Sequence, residues 1–302
     1  MGVKATRKVR NRRSQKTGSL LTQTEGLLRR FGLRAKKGLG QHFLIDEEVL
    51  GLILSTAQLT RQDVVLEVGP GLGVLTRELA KRAGWVVAIE LDDKLADILK
   101  QSLSSFKNLT IINEDVLRVE PAALLREAKV EKPSESYKVV ANLPYYITSP
   151  VLRHFLEAKV KPQLMVVMVQ KELAEEIVAK PGRMSLLSVS VQLYGEPTIA
   201  GYVPAQSFYP APEVDSALLK VVPYSRPPVD ISDMEGFFAL VRAGFSAARK
   251  QLANSLAQGL GISKAEVLSL LEKAKIVPQR RAETLSLEEW ARLWRVYSGV
   301  GE

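Results

Sequence analysis

Cysteine is absent from the 302 residues, and histidine occurs only twice, at His42 and His154. That excludes disulfides, thiol nucleophiles and Cys-ligated metal centres, and it leaves too few imidazoles for a His-rich metal site. No apolar run reaches the ~18 residues that cross a bilayer, and no secretory apolar segment lies near Met1. What is present is ordinary globular material: 46% hydrophobic and 25% charged residues, enough to bury a core. The expectation is a cytoplasmic, metal-independent protein with one large domain and one small one.

Acidic residues are nearly missing from one end. Residues 1–37 hold twelve Lys/Arg against Glu25 alone, while the rest carries thirty basic and thirty-two acidic groups. The formal charge of +9 is therefore a property of the tail. Such an arm suits phosphate contacts through counterion release. A solvated extension and an Arg-rich transit segment are the other readings.

Along the chain, residues 1–18 read as a flexible arm and 19–32 as a short amphipathic helix. A βα alternation follows. Apolar runs at 63–68, 85–89, 109–112, 137–141 and 164–169 read as buried strands, and helices are expected at 74–82 and from Asp92. This rhythm predicts a parallel sheet covered on both faces. Pro150 is expected to open a helix. Residues 215–222 read as a further strand, after which Pro223, Pro227 and Pro228 mark a linker. Beyond it Ser263 with Glu266 and Ser286 with Glu289 have capping-box spacing ahead of apolar helices. The expected division is an arm at 1–18, a catalytic domain at 19–225 and a helical, RNA-binding domain at 226–302.

Glu67-Val-Gly-Pro-Gly-Leu-Gly73 follows a strand and precedes a helix, where glycines permit a sharp turn and close ligand approach. A dinucleotide fingerprint fails here, because its last glycine falls on Val74 or Thr76. Glu90 ends the next strand, where a carboxylate can accept both hydroxyls of a ribose. Together these fit an S-adenosylmethionine site; a merely tight turn is the plainer alternative. Asp115 could meet an adenine amine or simply cap a helix.

Asn142-Leu143-Pro144-Tyr145 ends the fourth strand. An exocyclic adenine amine is a weak nucleophile, and methyl transfer builds positive charge on it. Neutral acceptors such as the Asn142 oxygen and the Leu143 carbonyl stabilise that charge. Pro144 shapes the turn, and Tyr145 offers a ring for a base to stack on. His42, beside Phe43, reads as packing on its own. In Phe208-Tyr-Pro210-Ala-Pro212 the prolines stiffen a loop that either holds an aromatic over a pocket or only connects elements. Arg249, Lys250 and Asn254, with Arg280 and Arg281, suit phosphate contacts or a solvated face.

Taken together, GQHFL at 40–44, EVGPGLG at 67–73, IELD at 89–92, EDVL at 114–117, NLPYYITSP at 142–150 and FYPAPEVDS at 208–216 resemble the KsgA/RsmA rRNA adenine N6,N6-dimethyltransferases. The resemblance runs from about residue 20 to 300 and leaves the arm outside it. It implies a Rossmann-like α/β methyltransferase sheet with a small C-terminal all-α domain. It also implies S-adenosyl-L-methionine as cofactor and S-adenosyl-L-homocysteine as its product. The implied substrate is two adjacent adenosines in the terminal hairpin of small-subunit rRNA, met as the immature 30S subunit by a monomer. By that likeness Gln41, His42, Leu44, Glu67, Gly69, Gly71, Gly73, Glu90, Asp115, Val116 and Asn142 are the expected cofactor contacts. Asn142, Tyr145 and Phe208 are the expected grip on the target base. The nearest rival is an Erm-type enzyme of large-subunit rRNA, against which the RK and RRAETL stretches lean. A non-catalytic nucleic-acid-binding factor needs no NLPY geometry, and an NAD oxidoreductase lacks its glycine fingerprint.

Overall fold

The structure is a computed structural model that describes residues 19–33, 40–127, 136–247 and 249–299. The basic arm at 1–18 lies outside the described residues.

Helix α1 (Leu20–Arg30) leads to a two-residue strand β1 (Phe43–Leu44) and α2 (Glu47–Ala57). Three strand–helix repeats follow: β2 (Val64–Val68) and α3 (Val74–Ala80), β3 (Trp85–Glu90) and α4 (Asp93–Ser102), β4 (Leu109–Asn113) and α5 (Pro121–Glu127). Next come β5 (Lys138–Asn142), α6 (Thr148–Leu156), β6 (Leu164–Gln170), α7 (Lys171–Ile177) and α8 (Leu186–Tyr194). Strands β7 (Gly195–Val203), β8 (Phe208–Tyr209) and β9 (Ser216–Pro223) close the sheet region. Helices α9 (Met234–Phe245), α10 (Leu252–Leu260), α11 (Lys264–Lys273) and α12 (Leu287–Ser298) complete the described chain.

The large sheet has the order β4-β3-β2-β5-β6-β9-β7. The first five strands are parallel, whereas β9 and β7 are antiparallel, so the sheet is mixed rather than wholly parallel. Alternation along β2 shows why it needs cover on both faces: Val64, Leu66 and Val68 join one apolar cluster and Val65 the other. The first cluster continues into Phe237, Leu240, Val241 and Trp290, so the C-terminal helices share a core with the sheet. Both expected capping boxes are present, at Ser263 and Ser286. The proline expectation differs by two residues. Helix α6 begins at Thr148, and Pro150 sits in its first turn, where a missing N–H leaves no bond unmade.

Strand order reverses at β2. The chain runs outward through β3 and β4, then returns to β2's other side with β5. Crevices at the carboxyl ends of strands beside such a reversal are where open α/β sheets bind ligands.

Candidate active site

The turns after β2, β3, β4 and β5 meet there. A pocket is lined by Glu67, Gly69, Gly71, Glu90, Asp115, Val116, Asn142 and Tyr145, together with Gln41, His42 and Leu44 from the segment at β1. The glycine turn sets its floor. Gly71 has φ +58°, and a Cβ there would stand 3.1 Å from the Phe43 ring, so any side chain would strain the backbone and press on β1. Gly73 takes φ +79° and starts α3 without lining the pocket.

Glu90 is aimed from its backbone surroundings. Its carboxylate accepts from the Gly71 N–H at 3.0 Å and from the Asp92 N–H at 2.9 Å, one bond to each oxygen. Burial pushes its carboxyl above the usual range, and those two N–H groups oppose the push. Each oxygen keeps lone-pair capacity for a ribose hydroxyl. Glu67 is deeper. Its carboxylate is buried beside the Thr76 hydroxyl, itself buried on α3. Burial raises the Glu67 carboxyl to about 8; a hydrogen bond from the Thr76 hydroxyl opposes the rise, and the charge of Glu90 adds to it. Asp115 serves as a cap, accepting from the Leu117 N–H at 3.0 Å, and it also lines the pocket.

The adenosylmethionine site requires a diol acceptor, a close-approach turn and polar capacity left open. Glu90, whose two oxygens each carry one hydrogen bond, the Gly69–Gly71 backbone and the pocket-lining Glu67 carboxyl fit those needs. The exposed Leu91 side chain adds an apolar wall beside Glu90.

At the end of β5, the Asn142 amide donates to the His42 carbonyl at 3.0 Å. That fixes the Asn142 Oδ1 as the free end of the amide, an acceptor. The Leu143 side chain is buried in the core, so only its backbone serves the site. The Tyr145 hydroxyl pairs with Ser216 at 2.7 Å, and its ring stacks on His42 with centroids 5.9 Å apart. His42 is held in turn by the Pro210 carbonyl, 2.7 Å from Nδ1. The histidine that reads as packing by sequence alone thus ties the NLPY turn to the FYPAP loop.

Two expectations fare differently. Phe208 is not brought to the pocket: its side chain is 2% exposed and packs with Leu20, Leu44 and Ile53 in the core, because β8 pairs with β1 in a register that turns Phe208 and Leu44 inward. Arg280 is not a free cation. Its guanidinium grips both oxygens of Glu289 at 2.5 and 2.9 Å, and it reaches Thr284 as well. Arg249, Lys250 and Arg281 are exposed, and the Leu252 N–H bonding to the Arg280 carbonyl at 2.7 Å brings their two loops together. Asn254, half-buried on α10, stands next to that junction. Tyr146 is the residue that sequence reading passes over. It is 54% exposed on the pocket lip, and its ring lies 3.5 Å from where a Cβ on Gly40 would be. The doubled tyrosine of NLPYY is the signal that marks it.

Comparison with known proteins agrees with this geometry. The family described as ribosomal RNA adenine dimethylase matches residues 32–297. A Dehalococcoides mccartyi protein named ribosomal RNA small subunit methyltransferase A is 54% identical over 283 residues, covering 93% of this chain and 95% of that one. The crystal structure of the 23S rRNA methyltransferase ErmE is similar at TM-score 0.66 and 30% identity, covering 85% of this chain and 99% of that one. A dimethyladenosine transferase from Plasmodium falciparum superposes at TM-score 0.68 and 25% identity, covering 83% of this chain and 96% of that one. With its pocket at the β2 reversal and its match over nearly the whole length, the chain belongs to the ribosomal RNA adenine dimethylase family.

Proposed function

We propose that this protein transfers methyl groups from S-adenosyl-L-methionine to N6 of two adjacent adenosines in the 3′-terminal hairpin of small-subunit (16S) rRNA. The product is N6,N6-dimethyladenosine, made during ribosome biogenesis in the cytoplasm on immature 30S subunits. The enzyme acts as a monomer without metal. Residues 19–225 perform the transfer, and 226–302 grip RNA through the joined loops of Arg249, Lys250 and Arg281. The small-subunit relatives, similar over most of the chain, support this substrate over that of ErmE.

One observation carries the chemistry: the Asn142 amide is pinned by the His42 carbonyl, so its oxygen is the acceptor turned to the pocket. When bound, the cofactor supplies an electrophilic methyl on a sulfonium. Glu90 holds the ribose, and the glycine turn lets the backbone close on the ligand. Asn142 Oδ1 and the Leu143 carbonyl accept from the two N–H bonds of the target amine. The nitrogen lone pair then leaves conjugation with the ring and turns toward the methyl. Positive charge growing on nitrogen strengthens both bonds, which favours the transition state over the ground state. The methylated nitrogen is acidic enough to release its proton to water, so no strong base is needed. Tyr145, fixed by Ser216, is the available face for the base.

Labelled cofactor, immature small subunits and mapped nucleosides test the reading. The expected product is N6,N6-dimethyladenosine at two adjacent positions. Asn142→Ala is expected to lower kcat about a hundredfold while subunit affinity stays nearly constant. Methylation of large-subunit RNA alone, or no transfer, overturns the assignment.

A further inference from the structure

Beside the catalytic pocket lies a second, open groove of about 650 Å³, bounded by Glu25, Leu28 and Arg29 of α1, by Leu33, and by Tyr209 and Pro210. That volume is within the range of small-ligand sites. Nothing in the transfer chemistry above uses it.

Its position follows from register. Tyr209 stands directly across from Phe43 in the β1–β8 pair, so the two side chains share a face, with Cα atoms roughly 5 Å apart. Phe43 lines the catalytic pocket and packs with Leu28 and Leu33, which places it as the wall between pocket and groove. Pro210, at the groove's other edge, is the residue whose carbonyl holds His42. The groove and the pocket that holds the amine grip therefore adjoin, with Phe43 between them and Pro210 touching both.

Its chemistry is selective. Tyr209 is 38% exposed and presents an aromatic ring. Arg29 is far more exposed, and among the described residues its ionic contact is a loose 3.8 Å approach to Glu25, which leaves guanidinium N–H groups for a phosphate. The Glu25 carboxylate repels phosphate but accepts from an exocyclic amine. At the rim the Leu33 N–H closes α1 on the Leu28 carbonyl at 2.8 Å.

We propose that this groove holds the nucleotide next to the target, the second adenosine of the pair. Its base stacks on Tyr209, its amine faces Glu25 and its phosphate meets Arg29. The proposal rests on the adenosine-pair function above. It adds that one adenosine of the pair is recognised through the other, since a groove on one side of the pocket meets the nucleotide on only one side of the target.

The test uses the full chain with immature small subunits that are natural or carry an abasic site in place of the neighbouring adenosine. Tyr209→Ala on natural subunits is expected to lower kcat/KM about tenfold, with S-adenosylhomocysteine affinity by calorimetry unaltered. Tyr209→Trp is expected to restore it and Tyr209→Leu not. Wild type on the abasic subunits is expected to show at least that tenfold loss, because the Glu25 contact leaves with the base, and Tyr209→Ala no further loss there, since the stack is already gone. Full activity of Tyr209→Ala overturns the proposal. So do losses that multiply, which would mean that another occupant, such as the chain's own basic arm, fills the groove. If wild type leaves natural subunits unmethylated, the function itself fails, whatever the groove does.

Discussion

At the residue scale, Glu67 makes the sharpest prediction. Its carboxyl stands at about 8 in the folded protein against an ordinary value of 4.5. Between those two values the folded state keeps a proton that the unfolded chain has released. Stability from this group is therefore complete below about 4.5 and is lost as pH rises toward 8. The slope is at most roughly 1.4 kcal/mol per pH unit. Glu67→Gln keeps the shape and removes the proton, so its melting temperature is expected to fall less than wild type between pH 5 and 8. Parallel curves would mean that the carboxyl is ionised throughout. Phe208 carries the opposite lesson. Its type and place beside two prolines suggest a stacking ring, and only the pairing of β8 with β1 turns that ring into the core.

At the scale of elements, the loops between α9 and α10 and between α11 and α12 divide their arginines by task. Arg280 is spent within the fold: its fork on Glu289 holds that carboxyl below the usual range and ties the 278–284 loop to α12. Arg280→Ala removes the fork while Glu289 keeps the Ser286 N–H and Arg292, and it is expected to destabilise the protein by about 1 kcal/mol. The salt dependence of RNA binding should not change. Arg249→Ala and Arg281→Ala should do the reverse, leaving melting unchanged and reducing the salt slope by about one each. Equal melting losses for all three would remove this division. Sequence cannot make it, since adjacent arginines look alike until a carboxylate nine residues away folds back on one of them. Strand β7 is hidden for a related reason. Gly195, Pro197 and Gly201 look like loop residues, yet at a sheet edge only one side needs bonding and a proline is tolerated.

At the scale of the whole molecule, charge is segregated. Residues 1–18 contain seven Lys/Arg and no acid. Deleting them is expected to weaken RNA binding and flatten its salt dependence, by about 0.7–0.9 in log–log slope for each phosphate contact removed. An unchanged slope makes the arm a bystander. This prediction, like the parallel strands, the two capping boxes and the glycine turn, needed only local patterns, because hydrophobic period, turn chemistry and charge are written residue by residue. The motifs at 67–73, 90 and 142–145 were legible for the same reason: each sits at a strand end, and strand ends converge in an α/β sheet. Tertiary structure alone decided which side chains those ends present. It set His42 as a tie between two loops, buried Phe208 in the core, paired Arg280 with Glu289, and opened a groove at Tyr209. The outcomes at His42, Phe208 and Tyr209 depend on pairings between residues far apart in the chain, and that at Arg280 on how a loop folds back on α12; no local spacing carries a signal for either.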